Sequence, residues 1–232
     1  MVLPFYNEKT LLDLLLHRLT ETLPNVPIIL ATTTAKPDDN LAAIAKKYNV
    51  AVYRGSEENV LSRFIEAAEE NNIDRVIRVC ADNPLLDANS IERMIQDSTT
   101  RDVDYWCFST SERLPTIKTG YGFWAEAVTL EALKKVSQLT TEKLYLEHVT
   151  NYIYTHPEQF TIHFEPIDKA LEGKYDIRLT VDTESDFKLM QEIYRTAIEE
   201  EIPLHPKSLM QRIESAPQWR AIMKQEMQAN LK

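Results

Sequence analysis

The residues in this chain whose types invite chemistry are acids placed where apolar runs end. In Arg78-Val79-Cys80-Ala81-Asp82-Asn83-Pro84-Leu85-Leu86-Asp87, the apolar Val76, Ile77 and Val79 give way to an acidic, polar, proline-containing turn. A short continuous apolar run reads as a buried parallel strand. In open α/β sheets, ligands bind beyond the carboxyl ends of such strands. Asp82 then stands on the rim of a crevice, where a carboxylate suits a hard, oxygen-seeking cation such as Mg²⁺ completed by substrate phosphates. Asp-Asn-Pro is also good turn chemistry, so this stretch alone reads equally as ligand or as turn. Asp87 stands where a helix cap would.

A second acid, Asp182, closes the run at residues 177–181. It reads either as a partner acid for Asp82 across one crevice or as part of a helix start, with Asp182 or Thr183 the cap and Asp186 in the first turn. Arg78 lies inside a strand, where an unpaired charge is costly, so a partner is expected in Asp82, Asp182 or a ligand. Arg54-Gly55-Ser56 offers a guanidinium and helix-start N–H groups to a phosphate or sugar carboxylate, or simply a tight turn capped by Ser56. Glu126 follows two aromatics after a glycine, and its plain reading is an exposed strand residue. Glu147 and His148 fall on a predicted helix, where an isolated histidine is more often structural than catalytic.

The elements that must position these residues alternate. Strands are predicted at 27–31, 50–53, 75–80, 103–109, 121–128, 160–164 and 177–181, and helices at 10–19, 38–48, 60–71, 88–97, 141–155 and 184–200, with a short helix from Leu130. Thr10 and Asp13 stand in capping-box relation. Strands alternating with helices of this length imply βαβ units and a parallel sheet. No linker composition divides the chain, so 1–232 is read as one domain, with 203–232 a helical tail after Pro203 and Pro206.

Composition narrows the function classes. A net charge of -10 argues against nucleic-acid or anionic-membrane binding. Cys80 and Cys107 lie in apolar runs without metal-ligand spacing, as core thiols of a cytoplasmic protein do. No run has the length of a membrane span, and the amino end lacks a signal-peptide layout. Of the four glycines, none forms a G-x-G-x-x-G or P-loop.

Taken in order and spacing, these pieces resemble the spore-coat-polysaccharide type of cytidylyltransferase, relatives of the acylneuraminate and deoxy-octulosonate cytidylyltransferases. The resemblance rests on Ala31-Thr32-Thr33-Thr34, Arg54-Gly55-Ser56-Glu57 with Arg63-Phe64, and the stretch 78–87. It continues through Gly122-Phe123-Trp124-Ala125-Glu126, Glu147-His148-Val149-Thr150 and Arg178-Leu179-Thr180-Val181-Asp182-Thr183. It implies a Rossmann-like, three-layer nucleotidyltransferase fold of the nucleotide-diphospho-sugar transferase type, with a mostly parallel sheet. The implied reaction transfers CMP from CTP to a sugar or sugar-like acid for surface polysaccharide, with Mg²⁺. Asp82 and Asp182 then match the metal-binding acids, beside Arg78. Arg54, Ser56, Glu126, Glu147 and His148 fall to substrate binding, with Glu126 on the acceptor side. The resemblance also implies pairing into a homodimer, for which Tyr121, Phe123 and Trp124 beside a loop offer a contact, although alternation equally buries Phe123 against the sheet.

One departure matters. In the family a first strand and an Arg- and Gly-containing phosphate loop precede an apolar-Leu-Pro segment, which here is Val2-Leu3-Pro4. The expectation is therefore an N-terminally shortened relative whose sheet lacks a central strand or borrows one. Alternatives are a non-catalytic nucleotide-sugar or carbohydrate-binding relative and a glycosyltransferase. The last needs an Asp-x-Asp motif at a strand end, which the sequence does not show.

Overall fold

A computed structural model describes residues 2–229. The chain opens with a small hairpin, β1 (Pro4–Tyr6) and β2 (Lys9–Thr10), followed by helix α1 (Leu11–Thr22). Thr10 caps α1 by accepting from the Asp13 N–H, and Asp13 reaches back to the Thr10 backbone, the expected capping box. Then come β3 (Ile29–Thr33), α2 (Asp39–Lys47), β4 (Ala51–Gly55), α3 (Val60–Glu70), β5 (Arg75–Arg78) and α4 (Asn89–Thr100). The alternation seen in the sequence holds to this point. Apolar residues at helical spacing bury one face of each helix against the strands, as Ile44 and Ala45 do on α2 and Leu61, Ala67 and Ala68 on α3.

Beyond α4 lie β6 (Tyr105–Ser109), β7 (Glu126–Thr129), α5 (Leu130–Leu139), α6 (Lys143–Glu147), α7 (Asn151–Thr155) and β8 (Ile162–Pro166). Helices α8 (Glu184–Glu199), α9 (Pro206–Glu214) and α10 (Pro217–Ala229) finish the chain. The expected helical tail is α9 and α10, its last residues 230–232 lying outside those described.

Several elements differ from expectation. The helix predicted at 141–155 breaks into α6 and α7 at His148, which leaves helical geometry with ψ 75. Only the end of 121–128 is a strand, because the segment before β7 must bend at Gly122, whose φ is +59. Residues 177–181 form no strand. They bond instead to two separate loops, Leu179 N–H to Gly120 O at 2.6 Å and Val181 N–H to Asp82 O at 3.0 Å. The residue directly before α4 is Ala88, whose side chain cannot cap, while Asp87 one residue further out faces the N–H groups of Asn89 and Ser90. Tyr121, Phe123 and Trp124 are buried in the chain's own core at 0%, 0% and 8% exposure, so the aromatic surface expected at a dimer contact is not a surface.

The strands make an α/β fold with a divided, mixed sheet. β3 pairs with β4 in parallel, and a four-stranded sheet runs β5-β7-β6-β8. Within the latter, β7 is antiparallel to both β5 and β6, while β6 and β8 are parallel. The expected mostly parallel sheet is thus interrupted by β7, which enters in the reverse sense. Between β3 and β5 lies a groove of about 500 Å³, walled by apolar side chains including Leu15, Leu19, Ile28, Leu30, Phe64 and Ile77. Each of these two strands has one partner only, β4 and β7 respectively, among the described residues.

Candidate active site

The loop after β5 is fixed from three directions. Arg18 of α1 donates through Nη1 to Pro84 O at 3.1 Å and Leu86 O at 2.9 Å. The Asp87 N–H bonds Phe123 O at 2.8 Å, and Asp82 O accepts from Val181. Leu85 and Leu86 anchor the loop in the core at 0% exposure. Two glycines allow the third contact to close. A Cβ on Gly120 would stand 2.6 Å from Ile177 O, and one on Gly122 would stand 3.1 Å from both Asn83 Oδ1 and Leu179 O. Only glycine combines this approach with the left-handed backbone at Gly122.

This seam brings Asp82 and Asp182, a hundred residues apart in sequence, to one place. Burial, then the neighbouring Asp182 carboxylate, raises Asp82 above the usual carboxylate range, against the pull of Arg78 and Arg178. Asp82 Oδ1 is buried without a hydrogen-bond partner. Asp182 is more open, its side chain 53% exposed, and its Oδ2 accepts from Arg178 Nη2 at 2.7 Å and Thr180 Oγ1 at 3.1 Å. The capping alternative also holds, at Thr183 of the two residues it named: Thr183 is the cap of α8 and completes a capping box with Asp186.

Arg178 and Asp186 form the frame beneath. Arg178 grips Asp186 with two bonds, Nε to Oδ1 at 3.0 Å and Nη2 to Oδ2 at 2.9 Å. Asp186 also accepts the N–H groups of Asp182 at 3.1 Å and Thr183 at 3.0 Å. Burial pushes Asp186 up, but these donors more than offset it and hold the carboxyl below its ordinary range. From sequence alone Asp186 is only a first-turn acid of a capped helix, and Arg178 has no role of its own. The available signal was the Thr183-x-x-Asp186 capping spacing, with an arginine eight residues before the acid.

Arg78 finds a partner other than those expected. Its Nη1 donates to Glu126 Oε2 at 2.8 Å, across the β5–β7 pairing that sets the two residues opposite each other. Glu126, at 2% exposure, also accepts from the hydroxyls of Tyr105 and Thr150. The plain reading of Glu126 as an exposed strand residue is therefore overturned. It is a saturated internal counter-ion. Thr150 ties this group to the segment of Glu147 and His148, both of which are exposed.

Arg54 reaches backbone and acid rather than open space, through Nε to Thr33 O at 2.8 Å, Nη2 to Ala35 O at 2.9 Å and Nη1 to Asp39 Oδ1 at 2.5 Å. Ser56 does not cap α3, whose cap is Asn59; its Oγ accepts the Asn59 N–H at 3.0 Å. Arg78, Asp82 and Asp182 thus converge, whereas Arg54 and Ser56 bind the β4–α3 turn. Burial pushes the Cys80 thiol up to about 11, so beside this cluster it stands as a thiol and not as a nucleophile.

With this geometry in hand, known proteins can be set beside it. A family profile described as cytidylyltransferase matches residues 2–213. The spore coat polysaccharide biosynthesis protein SpsF of Bacillus subtilis is 32% identical over 193 residues, covering 81% of this chain and 76% of its own. A cytidylyltransferase from Leptospira borgpetersenii superposes with a TM-score of 0.79 at 25% identity, over 96% of this chain and 89% of that one. A CMP:2-keto-3-deoxy-manno-octonic acid synthetase solved with CTP gives 0.59 at 11% identity, over 83% and 91%, which speaks for the fold alone.

Proposed function

The chain belongs to the cytidylyltransferase family, and from that premise we propose that it transfers CMP from CTP to a hydroxyl of a sugar or sugar-like acid used in surface polysaccharide. The acceptor oxygen bonds to the α-phosphorus, the bond from that phosphorus to the β,γ-diphosphate breaks, pyrophosphate leaves with the electron pair and the hydroxyl proton is lost to the medium. The observation that carries the reading is the pairing of Asp82 with Asp182 beside Arg78 at the end of β5.

The donor set fits a divalent cation. Asp82 offers a buried oxygen with no partner, and Asp182 an exposed carboxylate close enough to repel it. Oxygen ligands of this kind suit Mg²⁺, which when bound would neutralise charge on the α-phosphate and the departing pyrophosphate. The chain's own residues do the rest. Arg78, held by Glu126 and keeping 16% of its side chain exposed, supplies a fixed positive charge near Asp82. The backbone bond from Val181 to Asp82 keeps the two acids in register.

A second reading draws on the divided sheet. The groove between β3 and β5 has the apolar walls and the two singly paired strands that an added strand needs. In the resembled family a strand and phosphate loop precede the segment that is Val2-Leu3-Pro4 here. We take the groove as a seat for an added strand, and the second reading is a non-catalytic nucleotide-sugar or carbohydrate-binding relative. Calorimetry with CTP, with and without Mg²⁺, and against CMP-sugars separates the two readings. Mg²⁺-dependent CTP binding with pyrophosphate release on adding a sugar acid supports transfer. Binding of CMP-sugar alone, with no pyrophosphate formed under any condition, overturns it.

A further inference from the structure

Asp186 sits at 2% exposure and makes no contact that a ligand could share. Its two oxygens are taken up by Arg178, by the N–H of Asp182 and by the N–H of Thr183. Arg178 in turn divides one terminal nitrogen between Asp186 Oδ2 at 2.9 Å and Asp182 Oδ2 at 2.7 Å. The state of Asp182 therefore depends on how fully Asp186 occupies Arg178. We infer that Asp186 is a positioning residue that sets the charge the acidic pair presents to a divalent cation; this rests on the metal-binding reading of Asp82 and Asp182 given above.

The reasoning is electrostatic. Arg78 acts on Asp82 directly, but it is paired with Glu126 at 2.8 Å, so the two together leave the net charge unchanged. Asp82, Asp182 and Asp186 oppose the single charge of Arg178, and Glu226 adds a further negative charge near that guanidinium, so the cluster is net negative. That suits a divalent cation. Without the Asp186 carboxylate, Arg178 would turn more fully to Asp182, the other acid it bonds, drawing on that carboxylate and leaving the site with one negative charge fewer. The bidentate, planar geometry of a guanidinium on a carboxylate is what makes Asp186 the preferred partner. The bond from Asp186 to the Asp182 N–H fixes the backbone of the acid it serves.

The test is binding of Mn²⁺, used as a spectroscopic divalent probe and followed by the loss of the free-ion electron paramagnetic resonance signal, with no turnover involved. Asp186→Asn is expected to weaken Mn²⁺ binding by about tenfold or more, since one unit charge is lost beside the Asp182 backbone and the Arg178 guanidinium that Asp182 shares. The double variant Asp186→Asn/Arg178→Gln restores the net charge, and its affinity should return to within about threefold of the parent. A purely structural role predicts the opposite order, with the double variant no better than the single. Parent-like Mn²⁺ affinity in Asp186→Asn, while Asp82→Asn loses it, overturns this inference and leaves the site reading intact. No Mn²⁺ binding by the parent protein overturns both. Should Asp186→Asn fail to fold by circular dichroism, the double variant decides alone: recovered affinity supports the inference and lost affinity rejects it.

Discussion

Replacing Asp82 by Asn should make the protein more stable and less active at once. Asp82 is raised by burial and by Asp182, and its Oδ1 has no donor to bond. Between the ordinary carboxylate pKa and the raised one, the folded state holds a proton that the unfolded chain has already lost. Stability therefore falls as pH climbs through that window and stays lower above it. Above that window, and without a divalent cation, Asn removes a buried charge whose Oδ1 has no donor, worth about 1–2 kcal/mol. For a chain of this size that is a rise of roughly 2–8 °C in melting temperature. Added Mg²⁺ should stabilise the parent but not the variant. Turnover, read as pyrophosphate release, should drop by about two to three orders of magnitude, as when one preorganised charge stabiliser is lost. Melting curves from pH 3 to 8 on both proteins, with and without Mg²⁺, check the first half. Parent-like turnover in Asp82→Asn, or a variant that melts earlier at every pH, refutes the reasoning.

Other outcomes follow from the same geometry. Glu126→Gln should cost about 3–5 kcal/mol in urea unfolding, because it leaves the largely buried Arg78 without its counter-ion, whereas Glu147→Gln, on an exposed site, should change stability by less than about 0.5 kcal/mol. Gly122→Ala should destabilise by about 1–2 kcal/mol and lower CTP turnover, since φ +59 strains the new side chain and its Cβ presses on Asn83 Oδ1. Adding an apolar strand and an Arg- and Gly-containing loop ahead of Val2 should raise both the denaturation midpoint and the denaturant slope, because a filled groove buries more surface; an unchanged midpoint counts against the groove as a strand seat.

Much of this site is local and so was readable in order along the chain. The apolar run ending at Asp82 is a strand followed by a stapled loop, because period and turn chemistry act within a few residues. Thr10 with Asp13 caps α1 as spacing alone requires. Which distant groups meet is a different kind of fact. That Arg78 pairs with Glu126 depends on β7 lying antiparallel beside β5, a register no local pattern encodes. Residues 177–181 have strand composition, yet they bond to Gly120 and Asp82 in separate loops and join no sheet. Tyr121, Phe123 and Trp124 look like a surface patch beside a loop until tertiary packing closes over them. Asp186 looks like a helix-capping acid, which it is. Only the folded chain puts the Arg178 guanidinium between it and Asp182, because residues 178–182 must first be drawn against Asp82 by the glycine seam before that charge has two acids to choose between.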